Sequence, residues 1–120
     1  MNIILIFTGG GIGAVLRHLI SSVLAKPNAE FPIAILAVNI LGSFLIGLFA
    51  GLGKGVVESG MNLHMFFVIG ILGGFTTFSA FSMEALTLLN QGKTMMAIGY
   101  VLASVILSVL AAYIGLILTR

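Results

Sequence analysis

No cysteine occurs in this chain of 120 residues, which excludes disulfides and thiolate metal sites together. Charge is nearly as scarce. Five Lys and Arg and three Asp and Glu make up 7% of the residues. The isoelectric point near 9.4 therefore rests on very few groups. With no basic patch, no nucleic-acid partner is expected. There is no His-Glu-x-x-His run, no pair of neighbouring carboxylates and no nucleophile–base set, so the chain does not read as an enzyme. A cleavable signal peptide is not expected either. The apolar run starts beside Met1 with no basic leader, and no Ala-x-Ala site precedes a separate soluble stretch.

What is present is apolar. Hydrophobic residues make up 60% of the chain, and the mean hydropathy is +1.29. A soluble domain of this size has too little interior to hide that surface, so the chain reads as an integral membrane protein with little outside the bilayer. A hydrocarbon core of ~30 Å takes ~20 apolar residues per helix. Four segments meet this, at about residues 3–24, 32–52, 63–89 and 95–118. They predict one all-α domain of four transmembrane helices. Lys26-Pro27-Asn28 ends the first helix, and Pro32 stands in the first turn of the second, where it is tolerated. Gly53-Lys54-Gly55 and Glu58-Ser59-Gly60 lie in the second connection, and Asn90-Gln91-Gly92-Lys93 forms a tight third one.

The third segment is unlike the others. Gly73-Gly74-Phe75-Thr76-Thr77-Phe78-Ser79-Ala80-Phe81-Ser82-Met83-Glu84 is a poor way to build a plain lipid-facing helix. Irregular backbone at membrane depth is tolerated only where protein or a water-filled path covers it. The stretch predicts a broken helix with an ion or substrate nearby. Carbonyls exposed between Gly73 and Thr77 suit a cation, as in other broken membrane helices. The donor groups of the chain suit an anion.

Those donors are few. Asn39 stands alone in the second helix, with Gly42, Ser43 and Gly47 on the same stripe. A mid-membrane amide must find partners, either as interhelical glue or by donating to a passing anion. Tyr100, Ser104 and Ser108 recur every four residues, which puts three hydroxyls on one stripe of the fourth helix and predicts a polar track. Phe78 and Phe81 project from one face, either for apolar packing or to offer ring edges, which carry partial positive charge. Arg17 lies deep in the first helix on the face of Gly9 and Gly13. It either snorkels to the headgroups or draws an anion to a vestibule. His18, one step round the helix, reads as interfacial packing. Glu84 follows the break by two turns and could serve as an acid–base group, a cation ligand or a solvated vestibule residue.

Orientation is ambiguous under the positive-inside rule. A cytoplasmic N-terminus puts Lys54 and Arg120 inside and Lys26 and Lys93 outside, and these balance. The balance allows either one orientation set by weak cues or insertion both ways with antiparallel pairing. Four short helices would also struggle to enclose a path alone, so a dimer is expected. Gly9-xxx-Gly13, Gly10-xxx-Ala14, Gly47-xxx-Gly51 and Gly51-xxx-Gly55 permit close helix approach.

Three motifs carry a resemblance. They are Gly10-Gly11-Ile12-Gly13-Ala14-Val15-Leu16-Arg17-His18, Val38-Asn39-Ile40-Leu41-Gly42-Ser43-Phe44, and the run from Gly73 to Ser82 with Glu84. In their order, and across essentially the whole chain, they resemble the Fluc (CrcB) fluoride channels. The resemblance implies an antiparallel, dual-topology homodimer in the cell membrane with two fluoride pores; the balanced charge favours this over a heterodimer with a close paralogue. It implies a structural sodium ion on the two-fold axis, held by the backbone carbonyls of Gly73 and Thr76. It matches Asn39, Phe78 and Phe81 to pore residues, and Ser82, Tyr100, Ser104 and Ser108 to a polar track. Arg17 and Glu84 match vestibule positions. Ala80 departs from the family pattern, which usually has Thr there, so one track hydroxyl is missing. A small dual-topology proton-coupled drug exporter would need a carboxylate deep in the first helix, which has none. A non-conducting assembly subunit would leave the aligned polar groups without a purpose.

Overall fold

The computed structural model describes residues 2–24, 31–52 and 65–120. The loop residues Lys26, Pro27 and Asn28, and the 53–60 connection with Lys54 and Gly55, lie outside the described residues. Helix α1 spans Asn2–Leu24 and α2 spans Ile33–Gly51. The third span opens as a π-helical segment, Met65–Leu72, and tightens into the single turn α3, Gly73–Phe75. After the break, α4 spans Phe78–Asn90 and α5 spans Thr94–Thr119. Four helical stretches are long and apolar enough to cross a membrane. The long axis of 50 Å covers a bilayer core with its interfaces.

Two tight pairs organise these elements. Helix α5 packs chiefly on α2, and α1 packs chiefly on the π-helical segment and α3. Glycines set both approaches. A Cβ at Gly13 would stand 2.8 Å from the Phe75 amide nitrogen and still closer to the Ile71 carbonyl oxygen. A Cβ at Gly47 would collide with the Ala112 carbonyl, so α2 and α5 touch through their backbones. The buried cluster is small: Leu36, Phe81, Leu88, Ala97 and Tyr100, with Phe31, Ile40, Ala85 and Met96 packed against it. Outer faces are apolar and bare, with Phe7 81% and Val23 83% exposed. Such faces suit hydrocarbon as solvent and not water.

The hairpin between α4 and α5 closes as the sequence pattern requires. Gly92 takes φ 77°, a left-handed conformation that costs glycine little. The Lys93 amide then donates to the Leu88 carbonyl at 2.9 Å and the Gly92 amide to Leu89 at 3.1 Å. This is the Schellman arrangement that satisfies the last carbonyls of a helix.

Candidate functional site at the helix break

The break occupies two residues. Thr76 has φ −85° and ψ 145°, and Thr77 has φ −148° and ψ 127°. Both are extended, so the helical ladder is interrupted and its donors are redirected. In a continuous helix the Thr77 amide would close on the Gly73 carbonyl. It donates instead to Asn39 Oδ1 at 3.1 Å. The Ala80 amide, whose helical partner would be the Thr76 carbonyl, donates to Thr77 Oγ1 at 3.2 Å. Thr77 is thus the N-cap of α4. The Thr77 carbonyl accepts from Asn39 Nδ2 at 3.3 Å. The Thr76 hydroxyl bonds back to Leu72, and the Thr77 hydroxyl lies 2.9 Å from that of Ser79. The carbonyls of Gly73, Gly74, Phe75 and Thr76 all lose their helical donors here, and those of Gly73 and Thr76 are the two whose donors are diverted onto side-chain oxygens.

A cleft of about 310 Å³ opens beside the break. It is lined by Asn39 and Ser43 from α2, Thr76 and Thr77, Phe78 and Phe81 from α4, and Ser104, Val105, Ser108 and Val109 from α5. The four-residue repeats of α2 and α5 place the polar groups of both helices on facing walls. The cleft offers one amide, several hydroxyls and two aromatic rings, with no lysine, arginine or carboxylate among the described residues of its wall. Phe78 and Phe81 meet with ring centroids 5.2 Å apart at 48°. Phe81 is 9% exposed, whereas Phe78 is 77% exposed and stands at the open side. The Ser104 hydroxyl is buried and meets hydrogen-bond geometry with no other group. One Asn39 N–H remains after its bond to Thr77.

Five of the sequence-predicted site residues, Asn39, Phe78, Phe81, Ser104 and Ser108, therefore meet at one cleft, together with Thr76. Others do not line it. Tyr100 is wholly buried behind Phe81, its ring 5.3 Å from Phe81 and 5.7 Å from Phe31. Its hydroxyl, like that of Ser104, lacks a partner. Ser82 is exposed one turn beyond Phe78 on α4, Glu84 is half-buried on the same helix, and Arg17 is half-buried on α1. His18 is exposed. Ala80 is half-buried and is not part of the wall. Among the described residues, no three His, Cys, Asp or Glu side chains come together as a metal site. Sequence reasoning did not assign Thr77 or Phe31. The first pairs with Asn39 across 38 positions, and no local pattern announces such a pair. Ser43 was visible as the residue four after Asn39.

Four apolar spans, one of them interrupted beside a cleft lined by an amide, hydroxyls and aromatic rings, define a multi-pass helical membrane protein. The family described as CrcB-like protein, Camphor Resistance (CrcB), matches residues 4–116, and the chain belongs to that family. It is 46% identical over 123 residues to the fluoride-specific ion channel FluC of Agrobacterium fabrum, covering 100% of this chain and 97% of the relative. It is 43% identical over 120 residues to the FluC of Rhizobium meliloti, covering 99% and 96%. It is 40% identical over 121 residues to that of Ruminiclostridium cellulolyticum, covering 100% and 93%.

Proposed function

We propose that this chain is a fluoride-selective passive ion channel of the cell membrane, not an enzyme, and that it lets cytoplasmic fluoride out to relieve its toxicity. The observation that carries this reading is the cleft itself: neutral donors from α2, α4 and α5 gathered beside the break, with no fixed charge among them. Its relatives bear the name of fluoride-specific channels along their full length. Fluoride is small and strongly hydrated, so a path must replace its water with closely spaced donors. The free Asn39 N–H, the Ser104 and Ser108 hydroxyls and the edges of Phe78 and Phe81 can do so. A fixed cation on the wall would bind the ion too tightly to release it. Chloride, being larger, is held out by width. Fluoride enters a cell as neutral HF, ionises and is trapped, and a negative-inside potential drives it out with no energy source in the protein.

The working unit in this proposal is an antiparallel, dual-topology homodimer. Two observations support it. The cleft is open along the side where Phe78 stands, so one copy does not enclose a path. Ser79 and Ser82 are exposed on α4 within a membrane span, where polar groups are costly unless covered. A second copy on that face would cover them and complete the wall.

A structural sodium ion also belongs to this proposal, held by the carbonyls of Gly73 and Thr76 from both copies. The residues fit such an ion: these two carbonyls are the ones whose helical donors are diverted, and carbonyl oxygen is a suitable ligand for a hard cation. Bound there, sodium would supply a positive charge that ties the two breaks together. An exporter driven by proton exchange has no such support, since α1 carries no carboxylate.

Liposomes reconstituted with the purified chain alone test the function, with fluoride and chloride electrodes following efflux. Rapid fluoride efflux without chloride is the expected result. Folded dimers that pass no fluoride would refute it.

A further inference from the structure

The Asn39 amide does more than face the cleft. Its oxygen accepts from the Thr77 amide at 3.1 Å and its nitrogen donates to the Thr77 carbonyl at 3.3 Å. One side chain thus satisfies both backbone groups of one extended residue, as a neighbouring strand would. One turn along α2, Gly42 meets the other residue of the break. A Cβ there would collide with the Thr76 methyl and come within 3.3 Å of the Phe75 ring. Helix α2 is therefore shaped to receive both broken residues, Thr77 by hydrogen bonds and Thr76 by the absence of a side chain.

This grip has a consequence for the carbonyls. Asn39 holds the very amide that would otherwise close on Gly73. By fixing the Thr77 backbone it also places the Thr77 hydroxyl, which holds the amide that would otherwise close on Thr76. Both released oxygens trace to one side chain on another helix. We propose that Asn39 is a positioning residue for the cation site: it keeps the break open so that the Gly73 and Thr76 carbonyls stay free for the ion. The proposal rests on the sodium reading above. Asn39 keeps its second N–H for the cleft, so one residue ties the cation site to the anion path.

The test uses the full chain in detergent micelles, with sodium titrated against the thermal midpoint and backbone amide exchange followed by NMR. Asn39→Leu keeps the side-chain volume and removes both bonds. Asn39→Asp keeps an acceptor for the Thr77 amide and loses the donor. In Asn39→Leu the sodium concentration giving half-maximal stabilisation should rise about tenfold, the scale of one lost hydrogen bond, and Thr77 amide exchange should accelerate. In Asn39→Asp, which keeps the bond to the Thr77 amide, Thr77 exchange should stay slow and the sodium midpoint should stay within about twofold of native. Ser108→Ala, a change in the cleft alone, should lower flux and leave both readings native. A sodium midpoint raised about tenfold in Asn39→Asp while Thr77 exchange stays slow overturns the proposal, so the test stands even where Asn39→Leu does not fold. A native chain indifferent to sodium removes the sodium site itself and this proposal with it. A sodium response kept unchanged in Asn39→Leu removes the positioning role alone.

Discussion

Replacing Gly47 by alanine should loosen selectivity before it unfolds the protein. The new Cβ would stand 2.8 Å from the Ala112 carbonyl carbon and 2.9 Å from its Cα, where ordinary contact begins at 3.4 Å. The carbonyl oxygen is nearer still. These are backbone atoms, and no side chain can swing aside. Helices α2 and α5 must then part by at least about 0.5 Å, and overpacking of this kind costs about 1–3 kcal/mol. Gly47 and Ala112 each lie four residues beyond a cleft residue, Ser43 and Ser108. The strain thus falls one turn from the cleft walls and widens the path that, in the proposed mechanism, excludes chloride by its width. Gly115→Ala strikes the same seam from α5, with its Cβ 2.8 Å from the Leu48 nitrogen and closer to the Phe44 carbonyl. Once one alanine has separated the helices, the second should cost less. The double variant should be less destabilised than the sum of the singles, with a coupling of about 0.5–3 kcal/mol. Denaturation in micelles gives the energies, and paired electrodes give the fluoride and chloride fluxes. Strictly additive energies, or a Gly47→Ala protein native in both stability and selectivity, would refute the claim that backbone contact sets the width of the cleft.

Phe81→Ile removes a ring that touches both Phe78 and Tyr100. Fluoride flux should fall roughly tenfold, the scale of one aromatic interaction lost from the path, while the elution volume in size-exclusion chromatography stays native. Ser104→Ala removes a buried hydroxyl without a partner, so the thermal midpoint should hold while flux drops, because an unsatisfied group contributes no net stability. If both hold, Ser104 is packing only. Thr77→Val removes the cap on the Ala80 amide and the contact with Ser79, and should cost about 1 kcal/mol in denaturation. Exchange of sodium for a bulky organic cation should lower the thermal midpoint of the native protein. A dimer whose assembly and activity ignore that exchange ends the sodium proposal.

Much of this site could be read from the chain because helices repeat. Ser104 and Ser108 reach the cleft together, as do Asn39 and Ser43, since residues four apart share a helix face. Gly73-Gly74 followed by Thr76-Thr77 marked the interruption, and Asn-Gln-Gly-Lys marked the hairpin with its left-handed Gly92. Register failed where side chains are long. Tyr100 shares the stripe of Ser104, yet its ring slides under Phe81 and Phe31 and leaves the wall. Nothing local announces the π winding of Met65–Leu72.

The contact that no pattern announced is the one that explains the rest. Breaking a helix in a membrane strands backbone groups where water cannot satisfy them, and each stranded group is costly. Two of the donors freed at this break find side-chain oxygens, Asn39 Oδ1 and Thr77 Oγ1. The acceptors left behind are then a set of carbonyls suited to a cation, and the cleft beside them offers donors suited to an anion. In the proposed channel, one interruption thus produces two sites of opposite preference within a few residues. The stripe Asn39, Gly42, Ser43 and Gly47 shows why a single helix can serve both. Its first residue binds the break, its second makes room for the Thr76 methyl, its third lines the path, and its fourth brings α5 close enough to form the opposite wall. A change at any of the four should therefore disturb the two ions in different proportion, and that proportion distinguishes a residue acting through the break from one acting through the wall.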